Sequence, residues 1–154
     1  MQTAEPPVPF TILVVDDNAT NVYIIRRILN AYGLTYELQV IDNGACAIQF
    51  FDQLAVLEDV RCPDVLLLDL TLPAGWHGIE ILRHVKAIPR CAGMRVIIIS
   101  AFIRSTDRTE ARVLGADACF ERPLGLKAYM QLGDIIKELV FGSSDTANAV
   151  LMSP

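Results

Sequence analysis

The chain has 154 residues, of which 53% are hydrophobic, and a formal net charge of −5 at pH 7. This length fits one domain, and the hydrophobic fraction is ample for a buried core. An acidic chain without a run of Lys or Arg argues against a nucleic-acid-binding surface. No apolar run approaches the ~20 residues that cross a bilayer, so we expect neither a nucleic acid nor a membrane as partner.

The remaining sequence predicts strands and helices in alternation. Apolar, β-branched runs predict strands, and apolar residues at helical spacing between turn signals such as Gly33 and Asp42-Asn43-Gly44 predict helices. In chain order, the predicted strands are Phe10–Val15, Tyr36–Ile41, Val65–Leu68, Arg95–Ser100 and Asp117–Phe120. The predicted helices cover 22–32, 45–57, 81–88, 105–114 and 132–139.

The two ends of the chain differ in composition from the part between them. Residues 1–9 hold three prolines and residues 142–154 lack periodicity, so we expect a flexible lead-in and a flexible tail around a domain at 10–141. The amino terminus has neither the basic start nor the apolar stretch of a signal peptide.

None of the four cysteines forms a Cys-x-x-Cys pair, which argues against a zinc site, and single cysteines indicate a reducing cytoplasm. They are Cys46, Cys62, Cys91 and Cys119.

Apolar strands alternating with helices predict an α/β fold with a parallel sheet covered on both faces. Right-handed crossovers make this a doubly wound sheet of five βα units. The first βα turn holds Asp16-Asp17-Asn18 in place of the glycine pattern of dinucleotide-binding folds, and the sequence contains no Gly-x-x-x-x-Gly-Lys-[Ser/Thr] phosphate loop.

Polar residues stand where the predicted strands end. Asp16 and Asp17 follow the first strand, Asp69 the third, Ser100 the fourth and Glu121-Arg122 the fifth. The carboxyl ends of parallel strands share one edge of the sheet, which is where open α/β sheets bind ligands. Acids, a hydroxyl and a guanidinium gathered there suit a divalent cation and a phosphoryl group.

Four motifs, in this order, resemble the receiver domain of two-component response regulators. They are Ile12-Leu-Val-Val-Asp-Asp-Asn18, Leu66-Leu-Leu-Asp-Leu-Thr-Leu-Pro73, Ile97-Ile-Ile-Ser-Ala101 and Gly115-Ala-Asp with Arg122-Pro123. The resemblance covers about residues 10–141. It implies a CheY-like, flavodoxin-like (βα)5 sheet of strand order 2-1-3-4-5.

The resemblance also implies roles for the residues at the strand ends. Asp69 would accept a phosphoryl group from a histidine kinase or a phosphotransfer protein. Mg²⁺ would be bound by Asp17, by Asp16 through water, by Asp69 and by the backbone carbonyl of Thr71. Ser100, beside Ala101, would contact the phosphoryl group. The protein would be a stand-alone regulator and not an enzyme, beyond slow autodephosphorylation. It would bind a downstream protein target, with a homodimer through the fourth helix, fifth strand and fifth helix as an option.

The sequence departs from the family pattern at three places. Arg122 stands where the family has Lys, and its planar fork differs from a compact ammonium group. Cys119 stands at the position of the switch aromatic, and Phe120 beside it is expected on the opposite face of the strand. The loop from Pro73 to Gly78 is one residue longer than usual and contains Trp76 and His77.

Three other interpretations remain open. Because Arg122 and Cys119 replace the usual Lys and aromatic residue, the chain could be a receiver-like interaction module that no longer switches by phosphorylation. A phosphohydrolase of the haloacid-dehalogenase type needs a second Asp where this chain has Thr71. A flavodoxin-like flavin binder would need a phosphate-holding loop where Asp16 and Asp17 stand.

Overall fold

The computed structural model describes residues 8–142. The predicted flexible lead-in and tail lie almost entirely outside the described residues. Within 8–142, no helix has the length and apolar character that crossing a membrane requires.

The five strands form one parallel sheet in the order β2-β1-β3-β4-β5, which confirms the predicted fold. The strands are β1 Phe10–Val15, β2 Tyr36–Ile41, β3 Val65–Asp69, β4 Arg95–Ser100 and β5 Ala118–Glu121. The predicted bounds of β1, β2 and β4 are confirmed, whereas β5 begins and ends one residue later than predicted.

Within residues 8–142, six α-helices connect and follow these strands. They are α1 Ala19–Ala31, α2 Gly44–Val56, α3 Gly78–Lys86, α4 Ser105–Leu114, α5 Leu126–Tyr129 and α6 Gln131–Phe141. The last helix predicted from the sequence, 132–139, lies within α6, and the short α5 that precedes it across Met130 was not predicted. Met130 keeps φ −61° and ψ −20°, so the chain passes through one 3₁₀-like residue without turning away.

The sheet is buried on both faces because successive strand residues point to opposite sides. Leu13, Leu66 and Ile98 pack against α2, α3 and α4. Ile12, Leu67 and Ile97 pack against α1, α5 and α6. Helices on both faces leave the two strand-end edges of the sheet open, and the carboxyl edge holds the predicted site.

Two of the four cysteines are not single thiols, contrary to the expectation from the sequence. Cys62 and Cys91 form a disulfide with their Cα atoms 5.6 Å apart. Cys62 precedes β3 and Cys91 precedes β4, so the amino ends of two adjacent strands bring these residues together. Cys46 and Cys119 are free.

Candidate functional site

Strand register brings the predicted acids together. Val15 pairs with Leu68 in the sheet, so the next residues, Asp16 and Asp69, emerge side by side. One carboxylate oxygen from each of Asp16, Asp17 and Asp69 lies within 4.8 Å of the others. We call these three residues the acidic cluster. Asp16 and Asp69 are buried and Asp17 is exposed, so the cluster opens to solvent on one side.

The two aspartates that precede α1 are not needed to cap this helix, so both can belong to the acidic cluster. Asn18 is the N-cap, and its side-chain oxygen accepts hydrogen bonds from the backbone amides of Thr20 and Asn21. Asp16 instead accepts from the Asn18 amide at 2.8 Å and faces the Asn21 side chain. Asn18, and neither Asp16 nor Asp17, therefore caps α1.

Asp69 has a desolvated carboxylate at the end of the central strand. Burial raises its pKa above the ordinary value, with Asp16 adding to the rise, while Arg122 and the Thr71 amide oppose it. The Thr71 amide donates to Asp69 Oδ1 at 3.2 Å. A second cation near Asp69 would favour the ionised form that a nucleophile requires.

Arg122 lies across the cluster and bridges two of its acids. One terminal guanidinium nitrogen lies 2.5 Å from Asp16 Oδ2 and 3.4 Å from Asp69 Oδ2. The side chain is only 12% exposed, so solvent screens this charge weakly. Sequence reasoning placed Arg122 at this edge, but it did not foresee that Arg122 contacts Asp16 more closely than Asp69.

Ser100 ends β4 in the interior, and Ala101 beside it is exposed. The Ser100 carbonyl accepts a hydrogen bond from the Arg122 amide at 2.8 Å. This backbone link places the start of the Arg122 segment against the end of β4. The positions predicted to contact a phosphoryl group, Ser100, Ala101 and Arg122, thus lie at or just after the ends of two adjacent strands at the carboxyl edge.

Two other predicted residues face away from the cluster. Cys119 packs with the α2–α4 side of the core, where burial raises its pKa and Arg108 and Arg112 lower it. Phe120 packs on the opposite side of the sheet, as predicted. Glu121 is exposed, and its carboxylate accepts from the Ile103 amide at 3.1 Å, which fixes the loop before α4.

The loop after β3 folds back tightly against Asp69. The Gly78 amide donates to the Leu70 carbonyl at 2.8 Å, and the Leu72 amide to the Trp76 carbonyl at 3.1 Å. A Cβ at Gly78 would lie 2.3 Å from the backbone oxygen of Asp69, so this position admits only glycine without movement. The sequence analysis missed this role of Gly78.

The additional loop residues have structural roles in this arrangement. His77 is the N-cap of α3 and forms a capping box with Glu80. Trp76 is partly buried, and its ring lies where a Cβ on Gly44 would be, which places it over the start of α2. Because His77 caps α3, the Asp69 side chain is not needed as the cap of this helix.

Tyr129 is a second residue that the sequence analysis missed. It is 4% exposed, and its hydroxyl makes no hydrogen bond of ordinary geometry among the described residues. Burial raises the pKa of Tyr129, and the Arg122 guanidinium lowers it. Tyr129 precedes the predicted last helix, 132–139, and belongs to none of the motifs, so nothing in the sequence pattern distinguishes this tyrosine.

Comparison with known families identifies this arrangement. The family model of the response regulator receiver domain matches residues 12–132. The chain belongs to this family. Membership of this family agrees with the observed strand order.

Receiver domains of quite different proteins are similar to this chain. It is 29% identical over 133 residues to the virulence sensor protein BvgS of Bordetella bronchiseptica, covering 83% of this chain but 10% of BvgS. It is 26% identical over 123 residues to the polar-differentiation response regulator DivK of Brucella anthropi, covering 80% of this chain and 92% of DivK. Similarity thus extends to a small part of a sensor and to nearly all of a stand-alone regulator.

Solved receiver structures share the fold. The phosphorylated cyanobacterial phytochrome response regulator RcpA superimposes with a TM-score of 0.75 at 23% identity, covering 89% of this chain and 97% of RcpA. The Mn²⁺-bound form of Rcp1, a regulator from Synechocystis, superimposes with a TM-score of 0.74 at 23% identity, covering 88% of this chain and 97% of Rcp1. Receiver domains with this fold therefore include one with a bound divalent cation.

Proposed function

We propose that this protein is a single-domain response regulator that accepts a phosphoryl group on Asp69 and signals by phosphorylation-dependent binding of a protein partner. The observation that carries the proposal is the convergence of three aspartate oxygens within 4.8 Å at the end of the central strand, beside a buried arginine. A loop Asp with a structural role has no need of two further acids at this distance, since like charges in a desolvated site repel.

The transfer needs few groups. A carboxylate oxygen of Asp69 attacks the phosphorus of a phosphohistidine on a kinase or phosphotransfer protein. The new P–O bond forms as the P–N bond breaks, and the imidazole retains the electron pair and takes up a proton. Water later hydrolyses the acyl phosphate and regenerates Asp69. The protein contributes positioning and charge neutralisation, with Ser100 and Arg122 available to phosphoryl oxygens.

The acidic cluster fits Mg²⁺, which favours a few carboxylates, waters and a phosphate oxygen. Asp17 and Asp69 would be direct ligands, Asp16 would act through water, and the Thr71 carbonyl would complete the protein ligands. The bound ion would offset the repulsion among the acids and the charge on the phosphoryl group.

The proposal also names a phosphoryl donor, a target and a cellular compartment. A histidine kinase or phosphotransfer protein is the expected donor, and a downstream protein is the expected target. We place the regulator in the cytoplasm because the expected donors present their phosphohistidine there; the cysteines do not support this placement, since two of them form a disulfide. A homodimer through α4, β5 and the last helix, α6, is one form that the partner surface can take.

Incubation with acetyl phosphate and Mg²⁺, followed by mass spectrometry of the intact chain and its peptides, tests the proposal. We expect a gain of one phosphoryl group, located on Asp69 and absent when Mg²⁺ is chelated before acetyl phosphate is added. Asp69→Asn should abolish the gain, and Asp117→Asn, at the amino edge of the sheet, is the matched control that should retain it. A gain that persists in Asp69→Asn would refute the nucleophile assignment.

One observation favours a second function. Arg122 already neutralises Asp16 and Asp69, and Cys119 supplies no aromatic switch. A receiver with this arrangement can act as an interaction module whose partner binding does not depend on phosphorylation. The absence of label on Asp69, with a folded protein that binds Mg²⁺, would support this alternative.

A further inference from the structure

A buried pair of polar atoms lies unsatisfied behind the acidic cluster. Tyr129 is the last residue of α5, and its ring packs against Phe120 with centroids 5.6 Å apart. Its hydroxyl and the Nε of Arg122 are both buried, and neither makes a hydrogen bond of ordinary geometry among residues 8–142. Buried polar groups normally have partners, so two unsatisfied groups in one place indicate a contact that another state completes.

The two atoms belong to neighbouring side chains. The Arg122 guanidinium lowers the pKa of Tyr129 by its charge and by a side-chain hydrogen-bond contact, so the phenol lies within reach of the guanidinium although neither buried atom completes a hydrogen bond of ordinary geometry. The other end of the guanidinium is held by Asp16 and Asp69. Because a guanidinium is planar and rigid, a change in which acid it binds must also move Nε.

We propose that Tyr129 senses the phosphorylation state of Asp69 through Arg122 and transmits it to the α5–α6 segment. The inference rests on the proposed function, because phosphorylation supplies the change. A phosphoryl group adds negative charge at Asp69 and draws the guanidinium away from Asp16. The Nε–H then donates to the Tyr129 hydroxyl, and α5 shifts with its last residue.

The segment after Tyr129 is built to pass on such a shift. The Tyr32 hydroxyl of α1 contacts the Met130 carbonyl at 3.0 Å and Asp134 at 2.6 Å. The Tyr32 ring lies so close to Gly133 that a Cβ there would be 2.2 Å from it. Tight packing of this kind does not absorb displacements locally, so α6 and α1 must respond together.

Tyr129 packs on the side of the sheet opposite to Cys119. Cys119, at the position of the family's switch aromatic, packs on the other side of the sheet and has no ring. Tyr129 comes from a helix and not from β5, so the surface that responds is the one formed by α1, α5 and α6.

Hydrogen exchange of the full-length chain tests this route. Samples contain Mg²⁺ with or without beryllium fluoride as the phosphoryl mimic, and acetyl phosphate labelling of Asp69 is measured in parallel. In the wild type we expect amides of 126–141 to exchange roughly fivefold more slowly with the mimic, as one added hydrogen bond would cause. Tyr129→Phe should keep its label but lose this response. Tyr36→Phe, which removes a hydroxyl bonded to Asn30, should behave as the wild type.

Three outcomes separate the possibilities. An unchanged response in a labelled Tyr129→Phe chain overturns the inference alone, as does a labelled wild type without any change in 126–141. The absence of label on wild-type Asp69 overturns the proposed function and the inference with it. If Tyr129→Phe fails to fold, Arg122→Lys provides the test, since it keeps the charge but lacks Nε–H. It should lose the slowed exchange, and a retained response would refute the route.

Discussion

At the level of single residues, Arg122 holds oxygens that a divalent cation would need. Its guanidinium lies 2.5 Å from Asp16 Oδ2 in a site with little solvent screening. Arg122→Gln should therefore raise the affinity for Mg²⁺ by about tenfold, because a competing positive charge is removed from the cluster. Isothermal titration calorimetry of the metal-free chain measures this change.

Lys137→Gln is the matched control for Arg122→Gln. It removes one positive charge from the exposed face of α6 and should leave Mg²⁺ affinity within about twofold, since salt screens distant surface charges. Equal or weaker Mg²⁺ binding by Arg122→Gln would mean that the arginine supports the cation site and does not compete for it.

The residues of the site differ in how far the sequence predicts them. Asp16 and Asp69 follow apolar runs directly, so their positions depend on strand ends that the pattern locates. The contact of Arg122 with Asp16 depends on the conformation of a long side chain. The place of Tyr129 depends on how α5 packs against Phe120. Neither depends on a local pattern, which is why sequence reasoning missed both.

At the level of elements, α3 and the end of β3 meet at Gly78. A Cβ there would clash with the Asp69 carbonyl at 2.3 Å and the Leu70 Cα at 2.9 Å. Gly78→Ala should lower the free energy of unfolding by about 1–3 kcal/mol, because α3 must move away from the loop. It should also weaken Mg²⁺ binding, since the backbone that carries Asp69 moves.

Gly93→Ala makes the same chemical change at a position with no heavy atom within 4 Å of the added Cβ. Urea denaturation and Mg²⁺ titration of the two variants separate the loss of glycine flexibility from the clash. Equal stability of Gly78→Ala and Gly93→Ala would contradict the close approach at Asp69.

Tyr32 links α1 to the α5–α6 junction in a way that depends on pH. Burial and the neighbouring Asp134 raise its pKa to about 12. A raised pKa means that the folded chain holds the proton more tightly, so the stabilisation is complete below the ordinary tyrosine pKa of about 10 and disappears as pH rises through about 12. Tyr32→Phe should cost about 1 kcal/mol at pH near 8, with less difference above about pH 11.

Urea denaturation of wild type and Tyr32→Phe across this pH range measures the effect. Tyr36→Phe removes a hydroxyl that bonds to the uncharged Asn30 side chain and is the control for loss of a phenol oxygen. A difference between wild type and Tyr32→Phe that grows with pH would show that the sign is wrong.

The bounds of a strand or helix could be predicted where clear turn or stop residues stand at its ends. Tyr36–Ile41, Arg95–Ser100 and Ser105–Leu114 have the predicted bounds, because turn residues and Gly115 delimit them. The last helix was predicted from its apolar spacing alone. That spacing does not reveal the 3₁₀-like residue at Met130, which separates α5 from α6.

At the level of the whole molecule, the parallel sheet separates two sites by placing them at opposite ends of its strands. The acidic cluster lies at the carboxyl ends, and the Cys62–Cys91 disulfide lies before the amino ends of β3 and β4. The fold class and strand order follow from the sequence and its resemblance. The disulfide does not, because cysteines 29 residues apart carry no spacing pattern.

The disulfide should stabilise the domain without tuning the acidic cluster. Closure of a loop of this length restricts the unfolded chain by roughly 3 kcal/mol, so reduction or the double change Cys62→Ser and Cys91→Ser should lower the free energy of unfolding by about that amount. Mg²⁺ affinity should stay within about twofold, since the cluster lies at the other edge of the sheet. Cys46→Ser changes an exposed free thiol and should alter neither quantity. Thiol titration of the denatured, unreduced chain decides whether the bond forms. Two reactive thiols are expected from Cys46 and Cys119, and four would contradict the pairing.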